Sequence, residues 1–409
     1  MNTKTKFAVS IGIIIAVMAS SQSDNHGLFS MNTDSTTKIT NNDSSEPKTL
    51  RLGYFPNVNH AQAIIGLKNG EFLKVFEGNN NSSSKSNTDQ NKIEINEFVF
   101  SAGPSAIEAL FGGQIDAAYV GPNPAISGFI ASSNEGLRIV AGASSGGASF
   151  IVRNDAGIES VDDLGGKKFA SPQLGNTQDI SLRKYIIDNG FNTVENGGNV
   201  TVVAVKPSDI VTLMLKKEID GAWVPEPWAT TLVNEANGKV FVDERDLWPP
   251  EGKFVTGNII VRTDYLKENP DVIEKLLEAH VNQTLWINEK LGKTNNSGNT
   301  TKETNFNDNG NNGNNNNNGS IAEVVNAFND GLRQVTGKTI PENELEEALT
   351  KMEFTYDPLK TSLFKIADDA NSLGFLKNTK GNDKIDITGI YDLTLLNKVL
   401  QKKGLGEIR

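Results

Sequence analysis

Two stretches of this sequence repeat each other. Residues 104–120 read PSAIEALFGGQIDAAYV, and residues 207–224 read PSDIVTLMLKKEIDGAWV. The two stretches align with a one-residue gap. In each, a Pro-Ser pair begins a helical pattern, which is followed by Ile-Asp and a short apolar strand. Residues 56–62 and 172–178, which lie upstream of the two copies, also match. The repeat predicts two lobes that share one local plan.

Strands and helices alternate around these stretches. The predicted elements are strand 49–54, helix 60–76, strand 92–100, helix 104–111 and strand 115–120, and the rhythm resumes after residue 160. This alternation is typical of an α/β protein whose parallel sheets are covered by helices. Further helices are predicted over residues 321–335, 342–352 and 358–373, and we expect them to pack on the first lobe.

Composition excludes several classes of protein. The 409 residues include 39 basic and 50 acidic side chains, no cysteine, and only three histidines, His26, His60 and His280. Disulfides, thiolate nucleophiles and cysteine-ligated metals are therefore excluded, and no cofactor is expected. The net charge of −11 argues against a nucleic-acid partner, whose phosphates require clustered Lys and Arg.

The N-terminus has the pattern of an export signal. Lys4 and Lys6 precede an apolar run at residues 7–18, and small residues follow it. This run is shorter than the roughly 20 residues that a membrane span needs. We expect a signal peptide at residues 1–19 and a disordered tether at 20–48, which places the protein outside the cytoplasmic membrane. The alternative is an uncleaved segment that tethers the chain to the membrane.

Two further segments lack an apolar period. Residues 78–91 and 292–320 are dominated by Asn, Ser and Gly. Such a composition cannot bury enough surface to offset the entropy of ordering, so both are expected to be solvated insertions in surface loops.

Several predicted strands end where a helix begins, which is where α/β proteins place ligands. Asn59 is predicted to be an N-cap with Gln62 at N3, Asn123 an N-cap before Pro124, and Asn176 the cap of the helix that begins at Thr177. Helix N-termini offer unpaired N–H groups and partial positive charge, so several together predict an anion site that needs no arginine.

Seven motifs of the chain resemble the aliphatic-sulfonate, nitrate and taurine substrate-binding proteins of ABC importers. They are residues 52–57 (LGYFPN), 60–63 (HAQA), 102–110 (AGPSAIEAL), 115–116 (ID), 121–125 (GPNPA), 174–179 (LGNTQD) and 226–229 (EPWA). The resemblance implies a type II periplasmic-binding-protein fold, in which two α/β lobes joined by two crossover segments enclose a ligand cleft. The crossovers are expected near residues 148–154 and 255–263, lobe 1 at 49–147 and 257–409, and lobe 2 at 148–256.

The resemblance also implies a set of ligand contacts. They are Asn57, His60, Gln62, Ser105 and Asn123 from the first lobe, and Gln173, Asn176, Thr177, Gln178, Trp223 and Glu226 from the second. Neutral donors suit a sulfonate, whose charge is spread over three oxygens. Asn59, Asn123 and Asn176 could instead be helix caps alone.

Trp223 and Glu226 each leave two interpretations open. Trp223 would pack on an organic tail or lie in the core. Glu226 would repel a simple anion, but it would pair with the ammonium of a zwitterion such as taurine, or would only favour the N-terminus of its helix.

The ligand expected from the resemblance is a small anionic or zwitterionic organic solute, foremost an organosulfonate. Nitrate, bicarbonate and a thiamine-pyrimidine precursor remain alternatives. The expected partners are an ABC permease and its ATPase, and the receptor is expected to be a monomer.

An enzyme hypothesis rests on residues 142–146, which match the G-x-S-x-G pattern, with His280 downstream. A serine hydrolase that uses Ser144 would need a helix directly after the nucleophile, but residues 149–153 have a strand pattern. A second enzyme hypothesis comes from the thiamine-pyrimidine synthases, which share the implied fold. They use histidine-dependent chemistry inside cells, whereas this chain has an expected export signal and only three histidines. The sequence therefore favours a receptor over an enzyme.

Overall fold

The computed structural model describes residues 48–77, 93–293, 316–376 and 385–409, with the backbone alone for residues 316–320. The expected signal peptide, nearly all of the tether, the insertion at 78–91 and most of the insertion at 292–320 lie outside these residues. A helix already begins at Asn316, however, inside the range predicted for the second insertion.

The first lobe begins with alternating strands and helices. These are β1 (Lys48–Tyr54), α1 (Ala61–Lys68), α2 (Glu71–Glu77), β2 (Ile93–Val99), α3 (Gly103–Phe111), β3 (Ala117–Val120), α4 (Pro122–Ala131) and β4 (Leu137–Gly146). The single helix predicted over residues 60–76 is two helices, because the backbone is left-handed at Gly70 (φ +80°).

The second lobe follows. It consists of β5 (Ala148–Arg153), β6 (Lys168–Ser171), α5 (Thr177–Asp188), β7 (Thr201–Ala204), α6 (Pro207–Leu215), β8 (Gly221–Pro225), α7 (Trp228–Glu235) and β9 (Gly238–Asp243). The chain then returns to the first lobe with β10 (Val255–Arg262), α8 (Thr263–Glu268), α9 (Pro270–Lys290), α10 (Asn316–Thr336), α11 (Glu342–Thr350), β11 (Met352–Phe354), α12 (Lys360–Ser372) and α13 (Thr394–Lys402).

The two lobes have equivalent sheets. The first has the order β11-β4-β10-β3-β1-β2 and the second β7-β6-β8-β5-β9. In each, the first strand pairs in parallel with the second and third, and the third pairs with an antiparallel strand, β10 or β5. The matching strand order is what the sequence repeat predicts.

Helices cover both faces of each sheet. On the first sheet one buried cluster includes residues of α1, α9, α10, α11 and α13, and the other includes residues of α3, α4 and α12. On the second, residues of α5 lie in one cluster, and residues of α6 and α7 in the other. The helices near the C-terminus therefore pack on the first lobe.

The chain changes sheets at two places. It leaves the first sheet at Gly147, whose φ is +69°, and returns through residues 244–254. The segments expected to be crossovers, 148–154 and 255–263, are instead β5 and β10 with their immediate ends. Both are apolar runs that pair in a sheet, whereas the observed return contains Pro249 and Pro250, which have no N–H to donate to a ladder. Both lobes belong to one unit, residues 45–409.

Candidate ligand-binding site

A cavity lies between the two lobes. The first lobe lines it with Phe55, Asn57, Asn59, His60, Ser101, Ala102, Gly121 and Thr256, and the second with Pro172, Asn176, Thr177, Gln178, Pro207 and Pro225. About 20 Å³ is open to the centres of water-sized molecules. Since about 10–15 Å³ of such space holds one water, only a small solute fits in this conformation.

Four helices begin at the cavity. Ala102 is the N-cap of α3, Gly121 is the N-cap of α4, Asn176 is the N-cap of α5, and Pro207 is the first residue of α6. Each helix has at least nine residues, so the first-turn N–H groups and the positive end of each dipole lie near this space. Within the described part of the chain, no Asp, Glu, Lys or Arg lines the cavity.

Asn57 and His60 lie at the ends of a short 3-10 helix over Val58–His60 that follows β1. The Asn57 Oδ1 accepts a hydrogen bond from Trp228 Nε1 at 3.1 Å. The His60 Nδ1 accepts one from the Phe55 backbone N–H at 3.0 Å. Burial lowers the pKa of His60 to about 3, so the ring is neutral and carries its proton on Nε2. Both side chains therefore have N–H groups to offer a ligand.

Thr177 and Gln178 come from the first turn of α5 in the opposite lobe. Thr177 Oγ1 lies 3.4 Å from the Asn123 backbone N–H, and Gln178 Oε1 accepts from Asn176 Nδ2 at 2.8 Å. The Thr177 hydroxyl and the Gln178 NH₂ group are thus left as donors.

Four side chains on the cavity wall have a hydrogen-bond donor to offer a ligand: Asn57, His60, Thr177 and Gln178. Three of their partners, the indole of Trp228 and the N–H groups of Phe55 and Asn123, can only donate, which determines the orientation of the group they contact. A fifth polar side chain on the wall, Asn59, has the opposite polarity. Its Nδ2 donates to Thr256 Oγ1 at 3.1 Å, and its buried Oδ1, an acceptor, has no partner among the described residues. The cavity accordingly presents mainly hydrogen-bond donors.

Five of the eleven expected contacts line this cavity: Asn57, His60, Asn176, Thr177 and Gln178. The other six do not line it, and all of these except Gln173 have partners elsewhere. Gln62 donates to Ala143 O at 2.7 Å inside the first lobe, and Ser105 Oγ donates to Ala102 O at 2.9 Å.

Asn123 connects the two lobes, because its Nδ2 donates to Gly175 O at 2.8 Å. Gln173 lies next to Pro172, which is on the cavity wall, but is not itself part of it. Its Oε1 is buried and has no partner among the described residues.

Trp223 lies in the core of the second lobe and not on the cavity. It is fully buried, stacks on Phe150 with ring centroids 5.4 Å apart, and donates from Nε1 to Glu244 at 2.6 Å. Trp223 is therefore a core residue and does not pack on a ligand. Alternate residues of β8 face opposite sides of the sheet, and Trp223 is on the side that faces the core.

Glu226 is also fully buried and off the cavity wall. Its Oε2 accepts from the Thr230 backbone N–H at 3.1 Å, and its Oε1 lies 3.3 Å from Lys351 Nζ of the first lobe. Burial raises the pKa of Glu226, although the Lys351 ammonium opposes this shift. Its partners are a helix N-terminus and an inter-lobe lysine.

Two of the predicted helix caps are wrong. His60 is the N-cap of α1 and Gly121 that of α4, so Asn59 and Asn123 lie one residue before and two residues after the respective caps. Asn176 is the N-cap of α5, but its side chain bonds to Gln178 and not to the helix backbone.

Sequence reasoning missed nine lining residues: Phe55, Asn59, Ser101, Ala102, Gly121, Pro172, Pro207, Pro225 and Thr256. Eight of these lie in the repeated segments or within three residues of them, so the repeat itself was a signal for them. Thr256 has no such signal, because β10 reaches the cavity only by inserting between β3 and β4.

The serine of the G-x-S-x-G pattern has no base beside it. Ser144 lies within β4, and its Oγ is 3.2 Å from Thr256 Oγ1. His280 bonds through Nδ1 to the Tyr119 hydroxyl at 2.9 Å. A nucleophile elbow requires a strand-to-helix turn, so the hydrolase hypothesis fails on geometry.

Two α/β lobes of matching strand order, with two crossovers and a cavity between them, define a type II periplasmic-binding-protein fold. The NMT1-like family model matches residues 43–300, and the chain belongs to this family. Related proteins are named as aliphatic sulfonate-, taurine- and nitrate-binding proteins.

Individual relatives give the extent of the similarity. A putative binding protein of Brucella abortus is 26% identical over 196 residues, which are 48% of this chain and 58% of that protein. A putative aliphatic sulfonates-binding protein of Bacillus subtilis is 22% identical over 375 residues, covering 89% of this chain and 92% of the relative. The chain thus spans little more than half of the Brucella protein but most of the Bacillus one.

The fold likeness extends to solved structures. The nitrate-binding protein NrtA from Synechocystis has a TM-score of 0.60 at 16% identity, and the match covers 87% of this chain and 89% of that one. Among the residues that the structure describes, no helix combines the length and apolarity that a membrane crossing requires.

Proposed function

We propose that this chain is an extracytoplasmic solute receptor of an ABC importer. It captures a small organosulfonate by lobe closure and delivers it, as a monomer, to a membrane permease powered by a cytoplasmic ATPase. The observation that carries the proposal is the cavity between the lobes, which presents donors from both lobes and, among the residues that the structure describes, has no charged side chain on its wall.

A sulfonate matches this wall chemically. It is permanently ionised, has three acceptor oxygens and has no donor of its own. Four helix N-termini provide partial positive charge, and Asn57, His60, Thr177 and Gln178 provide hydrogen bonds. Because Asn57 and Thr177 belong to different lobes, a ligand that contacts both stabilises the closed arrangement.

Within the sulfonates, the structure favours an alkanesulfonate over taurine. The taurine ammonium needs a carboxylate, and Glu226 is already engaged by Lys351 and the start of α7. Among the described residues, no acidic side chain lines the cavity.

Nitrate is the second candidate. It also has only acceptor oxygens, and its small size suits the limited space between the lobes. Bicarbonate and an aminopyrimidine carry donors of their own, which a wall of donors accommodates less well.

The experiment is thermal unfolding of the chain from Ser20 against ethanesulfonate, taurine, nitrate, bicarbonate and a thiamine pyrimidine. A ligand at 100 times its Kd adds about 2.7 kcal/mol of stability, which raises Tm visibly. Stabilisation by ethanesulfonate, with little by taurine, is the expected result. Stabilisation by the pyrimidine alone, or by none of the five, would contradict the proposal.

A further inference from the structure

Trp228 and Asn57 form a hydrogen bond between the lobes. Trp228 is the first residue of α7 in the second lobe, and its Nε1 lies 3.1 Å from Asn57 Oδ1 in the first. We propose that Trp228 is a positioning residue, which turns the Asn57 amide so that its NH₂ group faces the ligand. This inference rests on the proposed function, because it assigns Asn57 as a donor to a bound anion.

Chemistry determines the direction of this bond. The indole N–H can only donate, whereas an amide has one accepting and one donating end. The indole of Trp228 therefore has to donate to the Oδ1 of Asn57, and the two N–H donors on Nδ2 are left for a ligand. Asn57 lines the cavity, and its Nδ2 has no hydrogen-bond partner among the described residues.

Both residues are held by their surroundings. The half-buried Trp228 ring packs against the aliphatic cluster beneath α7. The Asn57 backbone is tied at both ends, since its N–H donates to Phe55 O at 2.8 Å and its carbonyl accepts from the His60 N–H at 3.0 Å. The main freedom left to Asn57 is the flip of its amide, which the indole removes.

The bond also joins the two lobes. Close to it, the Val58 N–H donates to Glu226 O at 3.3 Å, so this seam contains a second inter-lobe bond. A rotation that separates Trp228 from Asn57 would free the amide to present either end. Closure and the presentation of a donor are thereby coupled, and by reciprocity a bound anion favours the contact.

The test is a double-mutant cycle with Trp228→Phe and Asn57→Ala, with ethanesulfonate binding followed by calorimetry. Trp228→Phe keeps an aromatic ring but loses the N–H, and we expect it to weaken binding by about 3- to 10-fold. In the Asn57→Ala background the same change should have less than a 2-fold effect, because Trp228 acts through Asn57. Trp286→Phe, on α9 and off the cavity, is the matched control and should leave Kd unchanged.

A second readout does not depend on the ligand. In the unliganded chain the indole N–H resonance that Trp228→Phe removes should move upfield in Asn57→Ala, which has no acceptor, but not in Asn57→Asp, whose charged oxygens still accept. Asn57→Asp should nonetheless lose ethanesulfonate binding, because it lacks the NH₂ group.

Additive losses in the cycle, or an indole resonance that ignores Asn57→Ala, would overturn the role of Trp228. If the wild type does not bind ethanesulfonate, the sulfonate proposal fails. The resonance alone then decides whether Trp228 holds Asn57.

Discussion

Asp116 and Asp220 occupy equivalent positions in the two lobes. Each precedes the third strand of its sheet and accepts a backbone N–H from the first strand: Arg51 N donates to Asp116 at 3.0 Å, and Lys168 N donates to Asp220 at 2.9 Å. The backbone N–H of each aspartate in turn donates to the carbonyl of the same first-strand residue, Asp116 N to Arg51 O at 2.8 Å and Asp220 N to Lys168 O at 2.7 Å. The repeated Ile-Asp pair thus connects the first and third strands in both lobes.

The equivalence extends to the antiparallel strand. Arg262 on β10 lies 3.5 Å from Asp116, and Arg153 on β5 lies 3.3 Å from Asp220. Both arginines donate their own N–H to the carbonyl of the same aspartate at 2.9 Å. The two strands that adjoin the crossovers are therefore joined to their sheets by the same pair of residue types.

Replacing these aspartates should destabilise the fold unequally. The Asp116 side chain is fully buried, so Asp116→Asn leaves Arg51 without its anion and Arg262 with Asp264 alone, and should cost about 2–4 kcal/mol. The Asp220 side chain is 24% exposed, so Asp220→Asn should cost about 1–2 kcal/mol. Urea unfolding measures both. Asp264→Asn, at an exposed side chain, serves as the control, and a larger loss for Asp220→Asn than for Asp116→Asn would contradict the ranking.

Removing a cavity donor should weaken anion binding. Asn57→Ala, Thr177→Ala and Gln178→Ala each delete a group that faces the ligand, and each should raise Kd by about 10-fold or more, as expected for hydrogen bonds to a charged group. Calorimetric titration with ethanesulfonate measures the change. Asn189→Ala, at the far end of α5, is the matched control, and three unchanged affinities would show that the ligand lies elsewhere.

A side chain at Gly121 should obstruct closure. A Cβ there would lie 2.6 Å from Thr177 Oγ1 of the other lobe, and Thr177 has a stiff β-branched side chain. The Gly121 backbone, at φ −68° and ψ 159°, suits any residue, so Gly121→Ala should keep its stability but lose about 10-fold or more in affinity.

Unfolding and calorimetry on the same preparation separate these two effects for Gly121→Ala. Gly406→Ala, where nothing lies within 4 Å, should change neither quantity. Undiminished affinity in Gly121→Ala would show that the lobes meet differently in the bound state.

Glu244 should make stability depend on pH. Burial raises its pKa to about 7, against the opposing hydrogen bonds from Ser181 and Trp223. A carboxyl with a raised folded pKa stabilises the fold below its unfolded pKa and loses that contribution as pH rises through the folded value. Glu244→Gln should therefore gain stability relative to wild type between pH 5 and 7.5, by up to roughly 3 kcal/mol.

Urea unfolding at several pH values follows the difference between Glu244→Gln and wild type. Glu108→Gln, at an exposed position on α3, provides the baseline. A difference that does not change with pH would mean that Glu244 is ionised throughout this range.

Anion affinity should not change between pH 5 and 8. Burial holds the pKa of His60 at about 3, so the ring stays a neutral donor over this range, and a sulfonate stays ionised. A protonated ring would strengthen binding at low pH. Titrations of ethanesulfonate at pH 5, 6.5 and 8 measure this, and a rise in affinity of 10-fold toward pH 5 would show that His60 becomes charged.

The sequence was sufficient for the fold and for the general location of the cavity between the lobes. Its repeat, its alternation of strands and helices and its motifs predict two α/β lobes with a cleft at helix N-termini, and the fold class and the family are confirmed. These features are local or periodic, so they can be read along the chain. The resemblance to the sulfonate-, nitrate- and taurine-binding proteins implied Asn57, His60, Asn176, Thr177 and Gln178 as contacts, and these five residues line the cavity.

Tertiary structure alone decided which side chains face the cavity and with which atoms. Gln62 and Trp223 belong to the right motifs, yet they point into the cores of their lobes. Glu226 meets Lys351, which follows 125 residues later, and Trp228 meets Asn57 across the lobes. No local pattern contains these pairs, because they form only when separate parts of the chain pack together. The polarity of the cavity follows from those partners, since the donor or acceptor that a side chain offers is the one its neighbours leave unused.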